Sequence, residues 1–186
     1  FNSIQLIWLV YIPVISMGAI ARERNTGTIE ILLTLPVRMK EIILGKYIYI
    51  LTVILLSLLL TLPHFLTLLI VGQNIDYGVI FCTYLGLFLS GAVYASISLF
   101  CSTLSNNQIT AFIISFMICL ILFSLEYALI YIPRFILPLF QYLSITWQYA
   151  SLSKGVLDSR VFIYFFSLIT LFLFLSSEYM NSKRSN

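Results

Sequence analysis

The sequence predicts an all-α membrane protein built as a polytopic bundle of five spanning helices. Its 186 residues are 61% hydrophobic and only 9% charged, with a mean hydropathy of +1.05. Soluble globular domains carry about 25% charged residues. Five apolar runs are long enough to cross a hydrocarbon core about 30 Å thick. The net charge is only +3, so we expect no nucleic-acid partner.

A single transmembrane domain covers residues 1–186. The spans are predicted at about residues 2–21, 47–71, 79–101, 109–125 and 161–177. Pro13 lies inside the first span, where it is either a hinge or a simple packing kink.

The charged segment 22–46 separates the first two spans. It holds half of the basic residues of the chain: Arg22, Arg24, Arg38, Lys40 and Lys46. Short loops rich in lysine and arginine stay on the cytoplasmic side of a membrane. We therefore expect this segment to face the cytoplasm and to receive any cytoplasmic partner.

Within that segment, a short amphipathic helix is predicted at about 28–35, stopped by Pro36. Glu30 falls in its first turn, where the helix dipole favours an acid. The helix lies either in the lipid headgroups or against a partner, and both can hold together. A new helix is expected from about Val37. Three side chains are available to cap the first helix: Asn25, Thr26 and Thr28.

The third span carries small residues at intervals of four. Gly86 with Ser90, and Gly91 with Ala95, match the small-xxx-small pattern. Such a pattern lets two helix backbones approach closely in lipid. We therefore expect residues 79–101 to be buried among other helices.

Residues 126–160 are aromatic and apolar but are interrupted by prolines and charges. No clean span fits them, so we predict an external re-entrant or interfacial segment of short helices. Glu126 either contacts a cationic substrate or marks the interface, and the sequence favours the interface. Several aromatic residues are expected at headgroup depth: Tyr127, Tyr131, Tyr142, Trp147 and Tyr149.

The chain contains no recognisable catalytic or ATP-binding motif. It has one histidine and lacks HExxH, GxSxG and GxxxxGK[ST], so we expect neither enzyme activity nor a cofactor bound by this chain. His64 either lines a substrate path or is a neutral histidine bonded to a neighbouring helix. The cysteines lie in apolar stretches and are interpreted as packing residues: Cys82, Cys101 and Cys119.

The charged segment resembles the signature of type-2 ABC transporter permeases, and within them is most similar to the gliding-motility-type subfamily. The matching residues are Glu23-Arg24-x-x-Gly27-Thr28-x-Glu30-x-Leu32-Leu33-Thr34-x-Pro36-Val37, followed by Glu41-Ile42-x-Leu44-Gly45-Lys46. Further likeness is found at Leu62-Pro63, Asn107-Gln108 and Ser153-Lys154-Gly155-Val156-x-Asp158.

This resemblance implies an exporter permease of six spans, working as a homo- or heterodimer in a bacterial cytoplasmic or inner membrane. Separate cytoplasmic ABC ATPase subunits would bind ATP and magnesium. We expect the sixth span and a cytoplasmic segment to precede Phe1. The resemblance also implies a coupling helix that docks on the ATPase, formed by Glu23, Arg24, Gly27, Thr28, Glu30, Leu32, Leu33, Thr34 and Pro36.

Two other functions are compatible with the sequence. A non-transporting membrane anchor would recruit its partner through the same segment, independently of nucleotide. A lipid-modifying enzyme is a third alternative, but the chain lacks a polar cluster to carry out the reaction. The sequence does not specify the substrate, which could be a lipid, a peptide, a polysaccharide or a hydrophobic drug.

Overall fold

The computed structural model describes residues 2–28, 38–63, 65, 67, 76–129, 135 and 137–185. Every regular element within these ranges is a helix. Five of the helices in the described ranges are long and apolar enough to cross a membrane. The predicted all-α polytopic bundle is therefore confirmed.

The helices follow one another along the chain with short connections. Helices α1 (Asn2–Ser16) and α2 (Ala21–Asn25) both fall in the first candidate span, Ser3–Asn25, and are separated by a turn at 17–20. The other long helices are α3 (Met39–Leu59), α4 (Tyr77–Leu104), α5 (Gln108–Ala128) and α8 (Ser159–Ser185). Two short helices precede the last one: α6 (Leu137–Leu143) and α7 (Ile145–Ser153).

Polar side chains mark where several helices begin. Asp76 precedes α4, Asn107 precedes α5 and Ser144 precedes α7, and each accepts a hydrogen bond from a backbone N–H of the first turn. Those N–H groups have no partner within the helix itself. The three residues therefore fix the start of each helix by local chemistry.

Helix α4 is the centre of the bundle and contacts α1, α3, α5, α7 and α8. Its residues 89–99 are buried without interruption. Small side chains on this stretch let neighbouring helices approach from several sides. The prediction that the third span is buried is therefore confirmed. The surrounding helices α1, α3, α5 and α8 expose many large apolar side chains, as expected of surfaces that face lipid.

The second long helix begins close to the predicted residue, about Val37, but is interrupted inside the predicted span of 47–71. The regular helix is Met39–Leu59, a turn follows at 60–61, and residues 62, 63, 65 and 67 are helical again. Pro63 accounts for the early end, because a proline ring clashes with the carbonyl four residues before it, here that of Leu59. At the other end, Lys46 belongs to α3 itself.

One face of helix α7 packs against the bundle, and the other face is exposed. Tyr149, expected at headgroup depth, is 1% exposed, and Leu152 beside it is fully buried. Trp147 on the other face is 41% exposed. The predicted short helices are thus found, but α7 is partly a core element. Tyr131 lies outside the described residues.

Candidate functional site

The predicted coupling residues that are described lie together. Glu23 and Arg24 belong to α2, and Gly27 and Thr28 follow it in a turn. We call this end of the bundle the basic end, because several cations lie there: Arg22, Arg24, Lys40 and Lys46. The other predicted coupling residues and the pathway candidate lie outside the described residues: Glu30, Leu32, Leu33, Thr34, Pro36 and His64.

A buried hydroxyl at the end of α4 holds the turn between α1 and α2. The Oγ atom of Ser102 accepts hydrogen bonds from the backbone N–H groups of Ile20 and Ala21, both at 3.0 Å. It donates to the carbonyl of Met17 at 3.0 Å. Ser102 is fully buried, so water cannot replace these bonds. The start of α2 is therefore attached to α4.

An ion pair attaches α2 to α3. The Nζ atom of Lys46 lies 2.5 Å from Oε2 of Glu23, and the two side chains are 19% and 30% exposed. Lys46 also donates to the carbonyl of Ala19. Because both charges are partly buried, salt screens them less than it screens a pair in open solvent.

Arg24 attaches α2 to the turn between α4 and α5 and to α8. Its guanidinium donates to Oδ1 of Asn106, in the turn between α4 and α5, at 3.2 Å. It also lies 5.9 Å from the ring centroid of Tyr179 on α8, a distance at which a cation is attracted to an aromatic face. The neighbouring sulfur of Met180 is 4.0 Å from Nη2. One side chain thus bridges three parts of the bundle.

Two threonine hydroxyls form hydrogen bonds within the turn that follows α2. The hydroxyl of Thr26 donates to the carbonyl of Arg22 at 3.0 Å, and that of Thr28 donates to the carbonyl of Glu23 at 3.2 Å. Both residues were predicted to cap the start of the following helix. Within the described residues they satisfy carbonyls of α2. Residues 29–35 of the predicted helix lie outside the described residues, so the capping role stays a prediction. Gly27 has φ of +73°, a backbone conformation that glycine adopts without strain.

We call α2 and its contacts with α3, α4 and α8 the junction. A cavity of about 450 Å³ opens beside it, between α1, α3 and α5. Arg22, Tyr49 and Gln108 line it together with the Glu23 and Lys46 pair. It leaves room between the three helices at the basic end.

The four predicted packing positions are all on the buried part of α4. A Cβ atom on Gly91 would lie 2.6 Å from Cζ3 of Trp8 on α1. A Cβ atom on Gly86 would lie 3.1 Å from Cδ2 of Tyr149 on α7. These two glycines therefore permit close approach on two sides of the helix. The other two positions are also fully buried: Ser90 and Ala95.

Several residues of the junction were not singled out from the sequence. Ser102 and Asn106 belong to the polar stretch after the third span, whose polarity is visible but whose partner is 82 residues away. Tyr179 and Met180 follow the predicted last span of 161–177, whereas α8 continues to Ser185. No local signal in the sequence connects α8 with α2.

Among the described residues, no group of three or more side chains could hold a metal ion. Residues 3–180 match a family model described as ABC-2 family transporter protein. A comparison with curated proteins gave no match. The matched range includes most of each of the five long apolar helices and all four cations of the basic end.

Proposed function

Because the chain belongs to the ABC-2 family of transporter proteins, we propose that it is the permease subunit of an ATP-binding cassette exporter. A separate cytoplasmic ATPase binds ATP and magnesium, and residues 22–46 receive its motion. Two permease subunits, identical or different, form the substrate pathway. The basic end faces the cytoplasm of a bacterial cell, as the distribution of lysine and arginine indicates.

The observation that carries this proposal is the attachment of α2 to the bundle. Through Ser102, Lys46 and Arg24, this five-residue helix is bonded to α3, to the end of α4 and to α8. It also continues from α1 through the turn at 17–20. A displacement of the segment that follows α2 therefore acts on the ends of several spans at once.

This arrangement suits an element that passes the movement of a partner on to the membrane spans. A partner changes the state of a protein only if it binds the two states with different affinity. An ATPase that contacts residues 22–46 in two positions would favour two positions of α2. Since α2 is bonded to its neighbours, the spans would follow. The likeness to gliding-motility-type permeases rests on the sequence motif alone, and we propose no motility function.

The alternative is a membrane anchor that recruits a cytoplasmic protein through the same segment. An anchor needs a binding surface but has no need of bonds that link that surface to several spans. The described junction has such bonds, which favours the permease. An anchor would also hold its partner equally well with and without nucleotide.

The test starts with the full-length protein, extracted gently, and with the ATPase that co-purifies with it. Both are placed in lipid nanodiscs, and ATP hydrolysis is measured with the variants Gly27→Ala and Glu30→Gln. Gly27→Asn and Glu178→Gln are the matched controls, because asparagine tolerates positive φ and Glu178 is exposed on α8.

We expect Gly27→Ala to reduce the permease-dependent hydrolysis rate about tenfold, since a residue with a Cβ atom resists this conformation by about 1–2 kcal/mol. Glu30→Gln should reduce it as well, whereas both controls should retain most of the rate. Two results together would support the anchor: the ATPase binds with equal affinity in all nucleotide states, and no variant changes its rate of ATP hydrolysis.

A further inference from the structure

A second cavity lies at the end of the bundle opposite to the basic end. It has a volume of about 450 Å³ and is formed by the start of α1, the end of α5 and helix α7. We call it the Gln5 cavity. Its lining combines polar and aromatic side chains, among them Gln5, Glu126, Tyr127, Thr146 and Trp147.

The amide of Gln5 is the first unusual feature of this cavity. Gln5 is only 1% exposed, yet its Nε2 atom has no hydrogen-bond partner among the described residues. Buried polar atoms in proteins are nearly always paired, because an unpaired donor loses its bonds to water. A donor in this position is available to an acceptor on a bound molecule.

The carboxylate of Glu126 is the second unusual feature of the cavity. Glu126 lies in the last turn of α5, where the helix dipole already places partial negative charge. Within the described ranges no lysine or arginine pairs with it, since the ion pair found there joins Lys46 and Glu23. Among the described residues that line the cavity, Glu126 is the one charged side chain. A bound cation would offset its charge.

The aromatic residues supply the third feature. Tyr127 is 62% exposed and Trp147 is 41% exposed, and both line the cavity. Aromatic faces attract ammonium groups, and tyrosine and tryptophan prefer the depth of lipid headgroups. Beyond the cavity, the exposed side chains of Leu6, Ile7 and Val10 continue as an apolar surface along α1.

We propose that the Gln5 cavity binds an amine-bearing amphiphile. The ammonium group of the ligand lies at Glu126, and an acceptor atom next to that group accepts a hydrogen bond from Gln5. The apolar chain of the ligand lies along α1. The inference rests on the proposed function, for which it names the substrate class. Thr146 does not compete for the ligand as a donor, because its hydroxyl donates to the carbonyl of Phe123 at 3.3 Å.

Binding can be measured on the permease alone, without ATPase or ATP. The chain has two tryptophans, Trp8 and Trp147, and Trp8 is 3% exposed. The protein is placed in phosphatidylcholine nanodiscs and its tryptophan fluorescence is measured. The fluorescence of Trp147 is the difference between the native protein and Trp147→Phe, and its quenching reports binding. The probes are three brominated amphiphiles of equal chain length, with a 2-amino-alcohol, an amine or an alcohol head.

We expect the amine to reach half-saturation at about one tenth of the alcohol concentration, the effect of one charge-assisted contact. Glu126→Gln should abolish that preference, and Gln5→Leu should abolish the advantage of the amino alcohol over the amine. Glu178→Gln and Gln141→Leu, which change the same residue types outside the cavity, should leave both preferences intact.

Equal quenching by amine and alcohol in the native protein would overturn the proposal, and so would a preference that Glu126→Gln leaves unchanged. Displacement of the amine probe by putrescine at equal concentration would also overturn it, because the site would then recognise soluble amines. None of these results depends on ATPase coupling, so failure of the site and failure of the permease function are distinguishable.

Discussion

Lys46 on α3 and Glu23 on α2 form an ion pair, with Nζ and Oε2 at 2.5 Å. These residues stand near the two ends of the charged segment 22–46. The pair therefore keeps the two ends of that segment close together, whatever the residues between them contact. A partner that moves the segment must move α2 and α3 together or break the pair.

The first prediction concerns the energy of this pair. In a double-mutant cycle of Glu23→Gln and Lys46→Met, we expect a coupling energy of about 1 kcal/mol, the upper range for pairs that keep some exposure. The measurement is the free energy of unfolding in mixed micelles titrated with dodecyl sulfate. The same cycle on Lys40 and Glu41, which are neighbours in sequence and both exposed, should give a value near zero. Similar energies in both cycles would contradict the structural role of the pair.

The second prediction concerns Ser102. Ser102→Ala removes three hydrogen bonds and leaves the N–H groups of Ile20 and Ala21 without a partner. We expect a loss of about 2–4 kcal/mol, since each unpaired buried donor costs about 1–3 kcal/mol. Ser96→Ala on the same helix is the control. Ser96 is equally buried but bonds only to the carbonyl of Val93, within its own helix. Equal losses would show that the turn does not depend on Ser102.

The third prediction separates charge from geometry at Arg24. Arg24→Lys keeps the positive charge but cannot reach Asn106 and the ring of Tyr179 with one planar group. We expect it to lower the permease-dependent ATPase rate several-fold. Arg22→Lys is the control, because Arg22 is exposed and has no side-chain hydrogen bond among those described. If both lysine variants behave like the native protein, only the charge of Arg24 matters.

The features that the sequence predicted well depend on local chemistry. Five apolar runs predict five long helices because hydrocarbon thickness sets their length. Small residues at intervals of four predict the burial of α4, since they allow close packing. Polar residues before α4, α5 and α7 bond to the first turn next to them, which is also local.

The features that the sequence missed depend on distant partners. The role of Ser102 depends on backbone groups 82 residues away, and Tyr149 is buried because Gly86 leaves space for its ring. The end of α3 at Leu59 follows from Pro63, but 47–71 reads as one apolar run. In the Gln5 cavity, Glu126 meets side chains of α1 and α7 that are remote in sequence, so no local pattern groups them.

The last prediction compares three glycines under one substitution. Gly91→Ala would place a Cβ atom 2.6 Å from Cζ3 of Trp8, so α1 or the indole must move. Overpacking of this kind costs about 1–3 kcal/mol. Gly86→Ala meets Tyr149 at 3.1 Å and should cost less. Gly45 in α3 has nothing within 4 Å of a new Cβ atom, so Gly45→Ala should stabilise the helix by up to about 1 kcal/mol.

A second substitution tests whether Trp8 causes the effect at Gly91. Phenylalanine has a smaller ring, so Trp8→Phe should relieve part of the clash. The double variant Trp8→Phe with Gly91→Ala should then be more stable than the sum of the two single losses, by about 1 kcal/mol. The free energies of unfolding come from the same mixed-micelle titration. Strict additivity would mean that the cost of Gly91→Ala arises from a contact other than Trp8, such as that with Cγ2 of Ile54, which lies 3.3 Å from the new Cβ atom.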